Sequence, residues 1–282
     1  MKTPRAIDAF CGAGGMSIGL AKSGFAIKSG FDNDPICIST LKSNPKYIKH
    51  ECLEANIQDM LKGHLLHETG LECGELDLLA GGPPCQAFSI QRTLDRHCDN
   101  RETLIMDFGG LILDFMPKFF LMENVPGIEG KRGKEIFLKF EIRMKSAGYF
   151  IHKQVLDAQF FGIAQRRRRL FVIGERASSA QLKFRWPQPR RTTSTVRATI
   201  SHLPAPPQDG TPHESYPLHR ADRLSERNRQ RLLSLKDGQG RKDLPLHLLA
   251  PCHRNSGDVI GHRNVYGRMS WDSVAPTITA RF

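Results

Sequence analysis

Short apolar runs alternate with longer amphipathic stretches through the first two thirds of the chain. Each run is four or five residues long and predicts a buried strand. The clearest runs are residues 6–10, 76–79, 119–122 and 170–173. Between them, stretches such as 135–142 repeat apolar residues three and four positions apart, which predicts helices. Strands that alternate with helices from Arg5 to about Arg176 predict an α/β fold with a parallel sheet.

The pattern changes after this region. From Trp186 to about Arg263 the chain is rich in proline, arginine and histidine, and only 224–235 has helical periodicity. No internal repeat interrupts the 282 residues, a length that allows one large domain and a small one. We expect a main domain at 1–176, an irregular region at 177–263, and a segment at 264–282 that returns to the main domain.

A rigid turn follows the predicted strand at 76–79. Two glycines and two prolines, residues 81–84, come immediately before Cys85. A buried structural cysteine is the commoner fate of a free thiol, but such a residue needs no rigid turn around it. Since open α/β sheets place their chemistry at the carboxyl ends of strands, we predict that Cys85 is a nucleophile.

Glu123 ends another predicted strand, at 119–122. In a parallel sheet this places its carboxyl group at the same edge as Cys85, where it can act as a proton donor. A first-turn acid of a helix is the alternative interpretation. The Pro126-Gly127 turn that follows favours the catalytic role.

The first strand predicts a cofactor site. Asp8 and Phe10 precede a glycine-rich turn at 11–15 that leads into a helix, and Asp32 follows about twenty residues later. This spacing suits an acid that binds ribose hydroxyls, as in dinucleotide-binding enzymes. However, an acid before the glycines would repel phosphate, and the Phe10 ring offers a stacking face. The pattern therefore favours S-adenosylmethionine.

In this order, these motifs resemble those of cytosine-C5 DNA methyltransferases of the bacterial restriction–modification type. The resemblance rests on four motifs between Asp8 and Gly174: Asp8–Gly15, Gly81–Ser89, Glu123–Val125 and Gln165–Arg169. Weaker matches follow at Tyr266–Trp271 and Ala275–Thr279. The resemblance implies a Rossmann-like S-adenosylmethionine-dependent fold in which the region at 177–263 recognises the target.

The resemblance also implies a mechanism on double-stranded DNA. The Cys85 thiolate attacks carbon 6 of a flipped cytosine, Glu123 interacts with ring nitrogen 3, and carbon 5 takes the methyl group. Arg167 and Arg169 match the family's arginines beside the base. Arg166 and Arg168 would point to the opposite face, because side chains alternate along the strand that follows.

For S-adenosylmethionine, the resemblance implies a set of contacts from several motifs. Phe10 stacks the adenine, Asp32 binds the ribose and Leu104 lines the pocket. The full set is Asp8, Phe10, Gly12, Gly14, Gly15, Asp32, Asn56, Pro83 and Leu104. In two positions the chain departs from the family: Asn56 replaces a usual acid, and Glu102 replaces a usual glycine. Asn56 can still accept a hydrogen bond from the adenine amino group through its carbonyl oxygen.

Charge and cysteine usage agree with this interpretation. The formal charge is +12 and the pI is about 9.6, which favours a polyanionic partner such as DNA. The seven cysteines include no CxxC pair and suggest neither a disulfide framework nor a zinc site, so no metal is expected. The sequence has no apolar run long enough to span a membrane, and its first residues do not resemble a signal peptide. It therefore predicts a cytoplasmic protein.

The C-terminal end suggests a further partner. The family normally continues past Thr277–Thr279 with motifs on a helix that returns to the cofactor pocket, whereas this sequence stops at Phe282. We therefore expect a small companion subunit that carries those motifs, as in a split enzyme. A truncated reading frame is the alternative.

Three other functions remain open at this stage. A catalytically degenerate relative could bind DNA or a partner without turnover. A tRNA cytosine methyltransferase would share the fold, although Cys85–Ser89 has the DNA-type form. A thiol oxidoreductase is disfavoured because Cys85 has no resolving cysteine close in sequence.

Overall fold

The computed structural model describes residues 2–84, 103–130, 133–177, 184–250 and 266–278. The chain forms two compact units. The first consists of Met1–Leu156 and Arg168–Trp186, and the second of Asp157–Arg167 and Pro187–Phe282.

A seven-stranded sheet is the centre of the first unit. Its strands are β1 Arg5–Ala9, β2 Ala26–Asp32, β3 Glu51–Glu54, β4 Leu78–Gly81, β5 Phe119–Asn124, β6 Tyr149–Asp157 and β7 Arg168–Arg176. They lie in the order β3-β2-β1-β4-β5-β7-β6. The strands from β1 to β5 pair in parallel.

The sheet is mixed, because β7 runs antiparallel to β5. The prediction of a parallel sheet was therefore wrong for this strand. A parallel return needs a crossover of a dozen or more residues, usually a helix. Strands β6 and β7 are joined by residues 158–167, which carry only the short 3₁₀ turn Ala158–Phe161. The α/β classification from sequence is confirmed.

Helices cover both faces of this sheet. They are α1 Gly15–Lys22, α2 Pro35–Lys42, α3 Ile57–Met60, α4 His64–Thr69, α5 Thr103–Phe115 and α6 Lys134–Ser146. The main core lies between one face and α3–α6, where Phe108, Phe120 and Phe140 are fully buried. Two smaller apolar clusters lie under α1 and α2 on the other face.

The second unit consists of short helices and turns that are connected by side-chain hydrogen bonds. Its described helices are α7 Val196–Ile200 and α8 Glu226–Leu233, with 3₁₀ turns at Arg241–Asp243 and Leu246–Leu248. Arg231 of α8 is 6% exposed, and its Nε donates to the carbonyl oxygen of Leu248 at 2.6 Å. The same guanidinium donates to Asn228 Oδ1 at 2.6 Å and lies over the Tyr266 ring. One arginine therefore connects a helix, a turn and the start of the C-terminal segment.

In the part of the chain that the structure describes, no helix is long and apolar enough to cross a membrane. The same residues include no group of three or more histidine, cysteine or acidic side chains placed to hold a metal ion.

Candidate active site

A glycine-rich turn joins β1 to α1. Gly12 and Gly14 have φ angles of +52° and +86°, in the left-handed region that favours glycine. A Cβ atom at Gly14 would lie 2.5 Å from Leu41 Cδ2, so the turn packs against α2 only without a side chain there. A Cβ atom at Gly12 would meet nothing within 4 Å. The backbone is therefore open to a ligand at Gly12.

Asp32, at the end of β2, holds this turn from the neighbouring strand. Its Oδ2 accepts the Gly12 N–H at 2.9 Å, and its Oδ1 accepts the Asp34 N–H at 3.0 Å. Each carboxylate oxygen keeps a second lone pair for another donor. Asp32 therefore both shapes the turn and can bind hydroxyl groups beside it.

Asp8 lies beneath the same turn and is fully buried. Its Oδ2 accepts the Ser17 hydroxyl at 2.6 Å, whereas Oδ1 is buried without a hydrogen-bond partner. Burial raises the pKa of Asp8 from 3.8 to about 6; the hydrogen bonds from Ser17 oppose this shift and the charge of Asp32 adds to it. The structure thus shows that Asp8 supports the first turn of α1 through Ser17.

Three further predicted cofactor residues lie in the first unit. Phe10 is half-buried with a φ of +58°, and its ring centroid is 6.1 Å from that of Phe31. Asn56 is exposed before α3, and its Oδ1 accepts a hydrogen bond from Asn33 Nδ2 at 3.2 Å. Leu104 is half-buried on α5 and packs against the main core.

The turn after β4 is held by a side chain from β5. Pro83 is buried, and its carbonyl oxygen accepts a 3.2 Å hydrogen bond from Asn124 Nδ2. Asn124 is 2% exposed, and its Oδ1 accepts the next backbone N–H of the chain at 2.8 Å. Asn124 therefore fixes the turn two residues before Cys85, which itself lies outside the described residues.

Glu123 lies beside this turn and pairs with an arginine. Its Oε1 is 2.9 Å from Arg169 Nε, and both side chains are partly exposed, at 27% and 19%. A Cβ atom at Gly82 would lie 3.6 Å from Glu123 Oε2, so the turn passes close to the carboxylate. The ion pair joins β5 to β7 and keeps the carboxylate at the end of its strand.

The register of the sheet brings the two turns to the same edge. Ala9 pairs with Gly81, and Gly81 pairs with Met122, each in parallel. The glycine-rich turn, the turn before Cys85 and Glu123 therefore lie at the carboxyl ends of three adjacent strands.

Arg167 belongs to the second unit. Its N–H donates to Asp157 Oδ1 at 3.0 Å, and its carbonyl oxygen accepts from the Ala158 N–H at 3.1 Å. Along this segment Arg166 and Arg168 are exposed, whereas Arg167 and Arg169 are half-buried. The predicted alternation is therefore present.

Sequence reasoning missed three supporting residues: Ser17, Asn33 and Asn124. Asn124 stood within a recognised motif, but nothing in the sequence indicated that its amide would reach Pro83, 41 positions away. Ser17 was equally hidden, although a serine in the first turn of a helix near an acidic strand residue is a usable signal.

The comparisons with known proteins agree with this arrangement. The model of the C-5 cytosine-specific DNA methylase family matches residues 4–281. Type II methylase M.HgiDII of Herpetosiphon aurantiacus is 33% identical over 279 residues, covering 98% of this chain and 75% of the relative. Type II methyltransferase M.AquIA of Picosynechococcus is 33% identical over 202 residues, covering 69% and 79%.

A solved structure supports the fold. The crystal structure of a prophage-encoded DNA modification methyltransferase from E. coli aligns with a TM-score of 0.68 and 23% identity. The alignment covers 97% of this chain and 82% of that one.

The fold is thus that of the Rossmann-like, S-adenosylmethionine-dependent methyltransferases. The chain belongs to the C-5 cytosine-specific DNA methylase family. It is a DNA cytosine-5-methyltransferase, and S-adenosylmethionine is its methyl donor.

The residues of the first unit fit this methyl donor. The open face at Gly12 can meet the methionine part, and Asp32 retains lone pairs for the ribose hydroxyls. Phe10 offers a partly exposed ring to the adenine, and Asn56 offers an exposed amide.

Proposed function

We propose that this enzyme methylates cytosine in a specific double-stranded DNA sequence through a covalent adduct with Cys85, as part of a bacterial restriction–modification system. One observation carries the proposal. The Glu123–Arg169 ion pair of 2.9 Å lies beside the turn that leads to Cys85, and Asn124 holds that turn. The two relatives above are named as type II enzymes.

In the proposed reaction the Cys85 thiolate attacks carbon 6 of the cytosine and forms a C–S bond. Glu123 donates a proton or a strong hydrogen bond to nitrogen 3, which accepts the displaced electron pair of the ring. Carbon 5 of the enamine would then take the methyl group that S-adenosylmethionine supplies, with S-adenosylhomocysteine as the leaving group. Loss of the carbon 5 proton to a base drives elimination of the Cys85 thiolate and restores the aromatic ring.

The arginines have different proposed roles. Arg169 holds the Glu123 carboxylate in place, as its 2.9 Å contact supports. Arg167, by its place in the motif, binds the carbonyl oxygen of the cytosine. Carbon 6 is inaccessible to a thiolate within a stacked duplex, so we propose that the target cytosine is flipped out of the helix.

The second unit is the proposed target-recognition part. Residues 177–263 carry many of the chain's arginines, and phosphate contacts by arginine and lysine supply much of the affinity for DNA. Binding to non-target DNA should therefore weaken steeply between low and physiological salt. A free catalytic thiol also suits the reducing cytoplasm, where we place the enzyme.

Methyl transfer from labelled S-adenosylmethionine to duplex DNA tests the proposal. In the presence of its companion polypeptide, the wild-type chain should label DNA but not tRNA, and bisulfite sequencing should map the methylated cytosines to one sequence. Cys85→Ser should lose transfer, and duplexes with 5-fluorocytosine should trap the wild type covalently. Cys73→Ser, at an exposed free cysteine, is the matched control and should behave as wild type. Transfer by Cys85→Ser at the wild-type rate would refute the covalent mechanism.

A companion polypeptide remains part of the proposal. On β5, Phe120 and Met122 are fully buried, whereas Phe119 and Leu121 on the opposite face are only half-buried. Phe119 and Leu121 pack against the cluster of Ala6, Leu78 and Ala80, and a companion would cover the apolar surface that they leave exposed. We expect weak cofactor binding by the chain alone and activity when the companion is co-expressed. Full activity of the purified chain alone would contradict the companion.

A further inference from the structure

Hydrogen bonds cross-brace a loop at 209–223 in the second unit. Asp209 Oδ1 accepts the Thr211 N–H at 2.9 Å and the Thr211 hydroxyl at 2.6 Å. Arg223 Nε donates to the Asp209 carbonyl oxygen at 3.1 Å, and the Ala221 N–H donates to Pro207 at 3.2 Å. The two ends of the loop are therefore tied together.

Three rings brace the interior of the loop. The ring centroids of His213, Tyr216 and His219 lie 5.7, 6.2 and 6.4 Å apart in pairs. The backbone N–H of His213 donates to His219 at 3.2 Å, and the His219 ring contacts the Pro204 carbonyl oxygen at 2.8 Å. These contacts brace the loop from within.

This rigid loop presents an apolar side chain at its tip. Leu218 is 98% exposed, whereas Leu233 and Leu246 of the same unit are 67% and 71% exposed. Scattered surface leucines are normal, but they usually bury part of their surface. Here Leu218 is held outward between Pro217 and His219 and contributes almost nothing to the folded unit.

The neighbours of Leu218 on the loop are also presented to solvent. Glu214 and Arg220 are exposed, and neither is needed for the bonds that close the loop. Arginine reads guanine, carboxylates accept from the cytosine amino group, and apolar side chains contact the thymine methyl group in the major groove. The loop therefore carries, within seven positions of sequence, three side chains of the types that recognise base edges: Glu214, Leu218 and Arg220.

We propose that the 209–223 loop enters the major groove of the target DNA and that Leu218 determines specificity by contacting a thymine methyl group. This inference rests on the proposed function, since it needs DNA as the substrate. It assigns sequence discrimination to a residue that has no part in the proposed chemistry.

Leu218→Ala tests this assignment without a folding problem, because the side chain contacts almost nothing. Leu246→Ala, another exposed leucine of the unit, is the matched control. Both variants should keep the wild-type melting temperature. The measurement is kcat/KM on the wild-type target duplex and on duplexes with each thymine of the site replaced by uracil, which lacks the methyl group.

Leu218→Ala should lower kcat/KM on the target about tenfold, within the range for loss of one base contact. One uracil substitution should lower wild-type activity to a similar extent and have no further effect on Leu218→Ala. Leu246→Ala should match the wild type on every duplex. Wild-type kcat/KM for Leu218→Ala on all duplexes would overturn the inference. A wild-type protein that methylates no DNA even with its companion present would instead contradict the proposed function.

Discussion

The two units of this enzyme hold their important side chains by different means. In the first unit, the candidate catalytic residues Glu123 and Arg169 lie at the ends of strands whose register fixes their neighbours, as with Glu123 and the turn at Gly82. In the second unit, regular elements are short, and single side chains such as Arg231 connect distant segments. The backbone of the first unit is fixed by a sheet, and that of the second by individual hydrogen bonds.

This difference matches what each unit is proposed to do. Chemistry on a cytosine ring is the same for every target, so its residues benefit from a rigid sheet edge. Recognition must differ among enzymes of different specificity, and loops braced by local contacts can present different tips without disturbing a core. Changes at the sheet edge of the first unit should therefore affect turnover, and changes in the part of the second unit that follows Pro187 should affect DNA selection.

The largest effect is expected at Glu123. Glu123→Gln should lower kcat by roughly 10²–10⁴-fold, because it removes a positioned proton donor. Affinity for DNA should change far less, since phosphate contacts dominate it. Single-turnover methylation and a filter-binding titration measure the two quantities.

The control for Glu123→Gln is Glu129→Gln. Glu129 is a partly exposed acid soon after β5 that pairs with Lys153 at 2.9 Å, and its removal should leave kcat close to wild type. If both variants retained full single-turnover rates, Glu123 would be a structural acid.

The next effect is a pH-dependent change in folding stability at Asp8. Its pKa is raised from 3.8 to about 6 by burial, so the folded state favours the protonated form. The contribution of protonated Asp8 to the free energy of unfolding is fully present below about pH 4 and is lost as the pH rises to 6. The loss is about 3 kcal/mol, from about 1.4 kcal/mol per pKa unit.

Asp8→Asn should remove this pH dependence. Urea denaturation between pH 4 and pH 7 should show wild type losing stability relative to Asp8→Asn as the pH rises, with no further relative change above 6. Asp59→Asn, at an exposed acid, should follow the wild type. Parallel curves for wild type and Asp8→Asn would mean that the Asp8 carboxyl is already charged at pH 4.

Arg231→Lys should affect the second unit and leave the cofactor site of the first unit unchanged. The guanidinium of Arg231 donates from two nitrogens to Leu248 and Asn228, and the single ammonium group of lysine cannot reproduce this geometry. The loss of such bonds costs about 2 kcal/mol. We expect lower hydrogen-exchange protection around α8 and weaker discrimination between target and non-target DNA, with unchanged cofactor affinity. Arg229→Lys, an exposed residue of the same helix, should have no effect. Loss of cofactor binding in Arg231→Lys would show that the units are not independent.

The sequence predicted the parts of the site that follow from local patterns. The strand before Cys85, the glycine-rich turn and the α/β class come from apolar runs and turn residues read within short windows. The antiparallel β7 was missed because strand direction depends on the connection through residues 158–167, and strand patterns are the same in both directions. The bonds from Asn124 to Pro83 and from Ser17 to Asp8 depend on which segments meet in space, which local patterns do not record.

The smallest effect is expected at Asn56, where the resemblance to the family implies an acid. Asn56 Oδ1 accepts from Asn33 Nδ2 at 3.2 Å, and an oxygen with two lone pairs can also accept from the adenine amino group. A carboxylate is a stronger acceptor than an amide for both donors. Asn56→Asp should therefore lower the KM for S-adenosylmethionine about fivefold, worth about 1 kcal/mol, with kcat unchanged at saturation. Asn56→Ala should raise the KM, and Asn33→Ala should raise it less if Asn33 only orients the Asn56 amide. A residue that contacts the adenine should alter the KM for S-adenosylmethionine when it is changed. An unchanged KM in all three variants would therefore show that the adenine binds elsewhere.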